Sequence, residues 1–271
     1  MSVKKISISA AALLLLLPAG CVRTSLRDDD VAGQYQKTGK ETIRDMVNTI
    51  STINTGLPES YSAEFSIDGV SGVKHFKSLG SAQFNRKERA MYVSFTDFIF
   101  KSPVMVLMMD GDLVRIYYPA EKRLFVDNVN TIDMANYSGP GIDFDLLHDL
   151  ATGTFPLIKN YSVKQGYRAV EGTGTMLIIE NAKYYETISF KGKVPDKILL
   201  MNKRTREKTE VYVKKVLADR GSRFFGTILL VADQGRLRLE LNFSNIKLNA
   251  PVRVKTFRDM RLPGDIKIIK M

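Results

Sequence analysis

Val104-Met105-Val106-Leu107-Met108-Met109-Asp110-Gly111-Asp112-Leu113-Val114-Arg115-Ile116-Tyr117-Tyr118-Pro119 is two apolar runs joined by a turn sequence. Asp-Gly between hydrophobic runs is the strongest short-range hairpin signal, because glycine reaches backbone conformations that other residues resist. The stretch therefore predicts one strand from Val104 to Met109 and its return from Leu113 to Tyr118. Pro119-Ala120-Glu121-Lys122 turns the chain again into Arg123 to Val126. A half-buried strand alternates apolar and polar residues, and the first run does not. Either both of its faces are covered, or part of it is exposed for a partner.

Hairpin patterns extend in both directions. Upstream, Tyr61, Ala63, Phe65 and Ile67 alternate with Ser62, Glu64 and Ser66, and Phe76 to Arg86 and Ala90 to Thr96 follow. Downstream, strand patterns resume at 161–163, 167–170, 175–179, 185–190, 197–202, 209–216, 224–231, 237–246 and 266–269. Two segments break the rule. Ile43, Met46, Val47, Ile50 and Ile53 form one stripe of an amphipathic helix over 41–54, stopped by Gly56-Leu57-Pro58. Between Ile132 and Leu157, Gly139-Pro140-Gly141 precedes Phe144, Leu146, Leu147 and Leu150, a pattern of short helices. Many strands without a repeating motif argue for one long antiparallel sheet, which must curl, with the two helical segments as lids. The fold class is mainly β (α+β). No linker-like break divides the strand region, so 41–271 reads as one domain.

The first twenty residues read as a targeting segment: Lys4 and Lys5, then a short apolar stretch ending in five leucines, too short to span a bilayer. Leu17-Pro18-Ala19-Gly20-Cys21 resembles the bacterial lipobox, with Pro18 where leucine is usual. That resemblance makes 1–20 a lipoprotein signal peptide and Cys21 the residue that carries lipid. The alternative is an ordinary secretory signal cut nearby, leaving a free thiol. Cys21 is the only cysteine among 271 residues, so no disulfide within the chain supports the fold. Residues 21–40, polar for most of their length, read as a flexible lipidated tether. Val22 rather than Asp after the anchor leans toward the outer membrane. The net charge of +11 suits either an anionic membrane surface or the plain solvation of outer strand faces, and export argues against nucleic acid as a partner.

Little here points to catalysis. His75 and His148 are far apart in sequence and lack neighbours at metal-ligand spacing. No nucleophile elbow, phosphate-binding glycine loop or His-Glu-x-x-His is present. Asp110 and Asp112 are turn residues before they are a carboxylate pair. The expectation is a protein that is not an enzyme and needs no cofactor or metal.

Taken in order, the helix, the hairpin run, the helical insert and the later hairpins resemble the lipoprotein-localisation superfamily of LolA-like carriers and LolB-like receptors. Asp110 to Pro119 looks like that family's recurring hairpin. Asp145-Leu146-Leu147-His148-Asp149-Leu150-Ala151-Thr152-Gly153 looks like its helical insert. The tail with Pro251, Phe257 and Pro263-Gly264-Asp265-Ile266-Lys267 looks like its last strands. The resemblance covers most of 40–271 and implies a curved antiparallel sheet forming an incomplete barrel, closed by helices over an apolar cavity. With a lipid anchor, the chain is most similar to the anchored receptor.

On that footing, Phe98, Ile99 and Phe100 are the candidate membrane-inserting loop; the alternative is that they pack under the helix. Candidate cavity residues are Ile43, Val47, Ile50, Phe65, Val104, Val106, Met108, Ile116, Leu147 and Leu150. Expected partners are the bilayer through acylated Cys21, acyl chains of lipoproteins or phospholipids, and a soluble periplasmic carrier. The function implied is acceptance of another lipoprotein's acyl chains and their insertion into the outer membrane. Two rivals stand beside it. An anchored envelope scaffold or secretion-complex component would present the same sheet to a partner over a filled interior, and an envelope hydrolase would need a nucleophile–base pair.

Overall fold

The computed structural model describes residues 34–132, 144–219, 222–260 and 262–270. The expected signal peptide, Cys21 and most of the tether lie outside them. Two α-helices occur among the described residues: α1 (Lys40–Thr55) and α2 (Phe144–Ala151). The strands before α2 are β1 (Tyr35–Lys37), β2 (Ser60–Ser71), β3 (Lys74–Asn85), β4 (Ala90–Asp97), β5 (Pro103–Asp110), β6 (Leu113–Tyr118) and β7 (Arg123–Asn128). Those after it are β8 (Ser162–Ala169), β9 (Gly174–Glu180), β10 (Tyr184–Lys191), β11 (Val194–Asn202), β12 (Lys208–Asp219), β13 (Ser222–Ala232), β14 (Leu237–Leu248) and β15 (Lys267–Lys270).

All of these strands join one sheet in the order β1-β8-β9-β10-β11-β12-β13-β14-β2-β3-β4-β5-β6-β7-β15. The deciding hairpin forms as its sequence predicts. Asp110 pairs with Leu113 and Leu107 with Ile116, and Gly111 takes φ +60° in the two-residue turn. The two short patterns at 161–163 and 167–170 fuse into β8, with a register shift at Val163–Gln165. Tyr35–Lys37, read from sequence as tether, is an edge strand on β8.

The incomplete barrel does not form. The sheet is open, neither closed nor strongly curled: β1 and β15 are its two ends. It is also mixed, because β15 runs parallel to β7. Closure requires the first and last strands to pair, whereas β1 bonds only β8 and β15 only β7. The physical reason lies in the covering segments. Helices bury one face, and the C-terminal segment buries part of the other, so the sheet need not roll up on itself to hide its apolar side chains.

On the helix side, Met46, Ile50 and Ile53 of α1 pack with Leu146 and Leu150 of α2 on Leu177, Ile179, Ile188, Ile198, Val211 and Ile228. Asn54 locks the helices' neighbourhoods together. Its amide donates to the Phe155 carbonyl (3.0 Å) and accepts from the Phe155 N–H (2.8 Å). The other half of that side gathers Tyr61, Phe65, Phe84, Met91, Val93, Met109, Val114 and Ile116 around Phe144. On the opposite side, Val106, Met108, Tyr117 and Leu124 lie under Phe257, Met260, Leu262 and Ile266. The non-alternating run is thus explained from 105 to 109: both faces of β5 are covered.

Candidate functional site

An apolar cavity of about 250 Å³ lies between α2 and the strands β2–β6, β13 and β14. Its walls come from alternate residues of each strand, such as Met91, Val93 and Phe95 on β4, or Leu239, Leu241 and Phe243 on β14. The space exceeds the ~150 Å³ at which an apolar cavity stays dry and takes up benzene. It sits beneath the helical insert, and no residue of α1 lines it.

Aromatic rings frame the cavity. Phe65 meets Phe95 edge-on at 5.4 Å between centroids, and Phe243 at 5.8 Å. Phe65 lies over its cross-strand partner Gly80 so closely that a Cβ there would fall 2.2 Å from the ring and 2.5 Å from the Ser94 carbonyl oxygen. Glycine at that position makes the ring's placement possible. Tyr61, fully buried, donates its hydroxyl to the Ala151 carbonyl and so fixes the end of α2 to β2. Burial raises the Tyr61 phenol well above its ordinary range, so it stays a neutral donor. At the same helix end Gly153 takes φ +72°, and Thr154 N–H caps the Asp149 carbonyl at 2.8 Å.

Of the residues singled out from sequence, Phe65, Ile116, Leu147 and Leu150 line this cavity. Ile43, Val47 and Ile50 pack from α1 onto the other half of the sheet. Val106 and Met108 are on the opposite side, under the C-terminal segment, and Val104 is 48% exposed. Register is the reason: the two-residue turn sets Leu107 opposite Ile116, so Ile116 shares its face with Leu107 and Met105, not with Val106. Those two, with Phe95 and Phe243, are cavity residues that the sequence reading missed. The pairing across Asp110-Gly111-Asp112-Leu113 carried the signal.

Phe98, Ile99 and Phe100 form the β4–β5 connection and are 45%, 75% and 81% exposed. The loop is built, not loose: the Asp97 carboxylate accepts the N–H groups of Ile99 (2.9 Å) and Phe100 (2.7 Å). Lys101 takes φ +55° and sets its ammonium 4.9 Å from the Phe98 ring centroid.

Titratable groups cluster on the other side of α2. Glu186 on β10 is 1% exposed. Its Oε2 accepts the Ile158 N–H at 2.8 Å, while Oε1 has no partner. Burial pushes its carboxyl up to about 8, and burial also raises Asp149, whose Oδ1 is 3.7 Å from His148 Nδ1. Among the described residues no group of three His, Cys, Asp or Glu side chains is placed to hold a metal ion.

Neither a protein-family model nor a characterised protein sequence matches the chain. Solved structures do. A putative outer-membrane lipoprotein-sorting protein domain from Vibrio parahaemolyticus superposes with a TM-score of 0.54 at 12% identity, covering 79% of this chain and 95% of that one. A LolA-superfamily protein from Nitrosomonas europaea gives 0.51 at 10% identity, covering 76% and 94%. A DUF1329-family protein from Desulfovibrio piger gives 0.52 at 10%, covering 80% and 96%. The chain therefore shares its overall fold with these structures, one of them a LolA-superfamily protein. At these identities the likeness is one of fold and does not single out the receptor type.

Proposed function

We propose that this protein is a non-enzymatic lipid-handling protein of the bacterial cell envelope, anchored through Cys21, that holds an acyl chain in the cavity under α2. The observation that carries the reading is the cavity itself: a space walled almost entirely by aromatic, aliphatic and methionine side chains and left unfilled by the protein. Such a wall offers nothing to a polar ligand and much to a hydrocarbon, at ~0.8 kcal/mol per buried methylene. Flexible thioethers at Met91 and Met105 let it adapt to chains of different shape. An interaction scaffold has no use for an unfilled interior, so the scaffold reading loses ground.

The exposed loop extends the proposal to delivery. Phe98, Ile99 and Phe100 enter the bilayer face to which the anchor holds the protein, at ~1.5–3 kcal/mol for each side chain fully buried. The acyl chain then passes from cavity to membrane without chemistry. Acylated lipoproteins delivered by a soluble carrier, or phospholipids, are the source of the chain, and the outer membrane is its destination.

The chain has no tryptophan, so Phe95→Trp places a single indole in the cavity wall. Brominated fatty acyl chains are expected to quench that indole saturably, and an unbrominated lipoprotein fragment to relieve the quenching. Indole emission that no acyl ligand alters would overturn the reading.

A further inference from the structure

Beside the cavity lies a second space, of about 360 Å³, lined by Phe84, Arg86, Arg89, His148, Asp149 and Lys159 among others. Phe144 and His148 line both. They stand one helical turn apart on α2 with their rings stacked 6.0 Å apart. The apolar and polar spaces thus meet along one stripe of one short helix, an arrangement that suits an amphiphile.

The charges in the polar space are unequally matched. Arg89 pairs with Asp112 at 2.5 Å and Lys159 with Asp145 at 2.9 Å, so those four largely offset one another. Arg86 is different. Its Nε donates to the Pro58 carbonyl at 3.3 Å and its guanidinium carbon stands 5.2 Å from the Phe84 ring centroid, but its shielded Nη2 has no hydrogen-bond partner. The acids closest to it electrostatically are Glu59 and Asp149. Glu59 is exposed, and burial raises the Asp149 carboxyl above its ordinary range. A guanidinium stays charged at any physiological pH, and its planar fork of donors matches a carboxylate or a phosphate. An unmatched charged donor is costly, and an anion beside the guanidinium offsets part of that cost.

We propose that the ligand of the cavity carries an anionic head, a carboxylate or a phosphate, which binds Arg86 in the space beside Phe144 and His148. This rests on the acyl-binding reading and narrows it. The acylated cysteine of a lipoprotein offers ester and amide carbonyls with no charge of their own, whereas a free fatty acid or a phospholipid offers the anion. The geometry favours the latter two as the resident ligand.

The test compares three ligands that share one chain length in displacing a neutral fluorescent acyl ester from the purified protein: laurate, dodecyl phosphate and methyl laurate. At least one anionic ligand is expected to displace the probe at a concentration ten-fold or more below that of methyl laurate. The preference for one anion or the other identifies a fatty acid or a phosphate lipid as the source. Arg86→Met, which keeps much of the apolar stem, is expected to erase the preference. Arg86→Lys is expected to restore part of it. Equal displacement by all three ligands on the native protein overturns the head-group proposal while leaving the cavity reading intact. A preference that survives in Arg86→Met overturns it too, since the anion then sits elsewhere. Failure of every ligand to displace the probe, or of the probe to bind, removes the acyl-binding reading on which the proposal rests. The comparison on the native protein needs no variant, so a poorly folding Arg86→Met leaves the test intact.

Discussion

Replacing Glu186 by Gln is expected to stabilise this protein at neutral pH and to do nothing of the kind in acid. The carboxyl is buried between β10 and the loop after α2, with one oxygen bonded to the Ile158 N–H and the other unmatched. Burial holds its pKa near 8, against an ordinary 4.5. Between those values the unfolded chain is ionised at this site while the folded chain keeps the proton. The native state then binds more protons than the unfolded state, and stability falls as pH rises. At 1.36 kcal/mol per unit, the loss accumulates to roughly 3 kcal/mol by pH 7 and nearer 5 kcal/mol by pH 8, both upper figures. Below about pH 4 the full stability is present. Glutamine keeps the shape and the acceptor for Ile158 but has no proton to lose, so the variant's stability lacks this dependence. The two proteins should have nearly equal midpoints at pH 4 and separate steadily above it, Glu186→Gln melting roughly 6–12 °C higher at pH 7 for a domain of this size. Thermal denaturation followed by far-ultraviolet circular dichroism from pH 4 to 8 provides the measurement. Parallel profiles for the two proteins would show that Glu186 titrates normally in the folded state and would refute the reasoning.

Further outcomes follow from the cavity and its supports. Gly80→Ala drives a methyl into the Phe65 ring and the Ser94 carbonyl and should cost about 1–3 kcal/mol in urea denaturation; an unchanged midpoint would mean that Phe65 does not lie over this position. Tyr61→Phe removes the donor to the Ala151 carbonyl and should cost about 1–3 kcal/mol, with hydrogen exchange in α2 rising more than elsewhere. Ala82→Phe fills part of the cavity and should abolish acyl quenching of the Phe95→Trp indole while the fold persists by circular dichroism. Ile99→Asp with Phe100→Asp should leave stability within about 0.5 kcal/mol, because both side chains are exposed, yet weaken flotation with phospholipid vesicles at least ten-fold. Equal flotation would dissociate the loop from the membrane.

Elements and their order were legible in the sequence because local rules decide them. The Asp110-Gly111 turn and alternation produced the hairpins, and a five-residue apolar stripe produced α1 within a residue at either end. What escaped were features decided by contacts far apart in the chain. The tail crosses the outer side of β5–β7 before β15 adds in parallel. Nothing local in Lys267–Lys270 marks the direction of its pairing, and that segment's cover is one reason the sheet stays open. The same limit affected the site. Phe65, Ile116, Leu147 and Leu150 were accessible to a reading by element, whereas Arg86 and Glu186 gain meaning only where α2 is laid across the sheet. Each then lacks a partner for one polar atom, which no local pattern reveals.

The register of one hairpin ties these threads together. A strand apolar on both sides can place either phase toward the cavity, and a slip of one residue exchanges the two sets completely. Here the turn at Gly111–Asp112 decides the matter, sending Met105, Leu107 and Met109 toward α2 and Val106 and Met108 toward Phe257 and Met260. The outward phase thereby makes the C-terminal segment necessary, since without it those side chains would meet water. The inward phase brings Met105 and Leu107 to the apolar cavity and Met109 to the polar space beside it, where Arg86 stands. The strand that carries the exposed loop of Phe98, Ile99 and Phe100 at one end therefore carries both halves of the proposed ligand site along its length. A ligand that reorders β4 or β5 would thereby be linked to the loop through the backbone of the two strands that the loop joins.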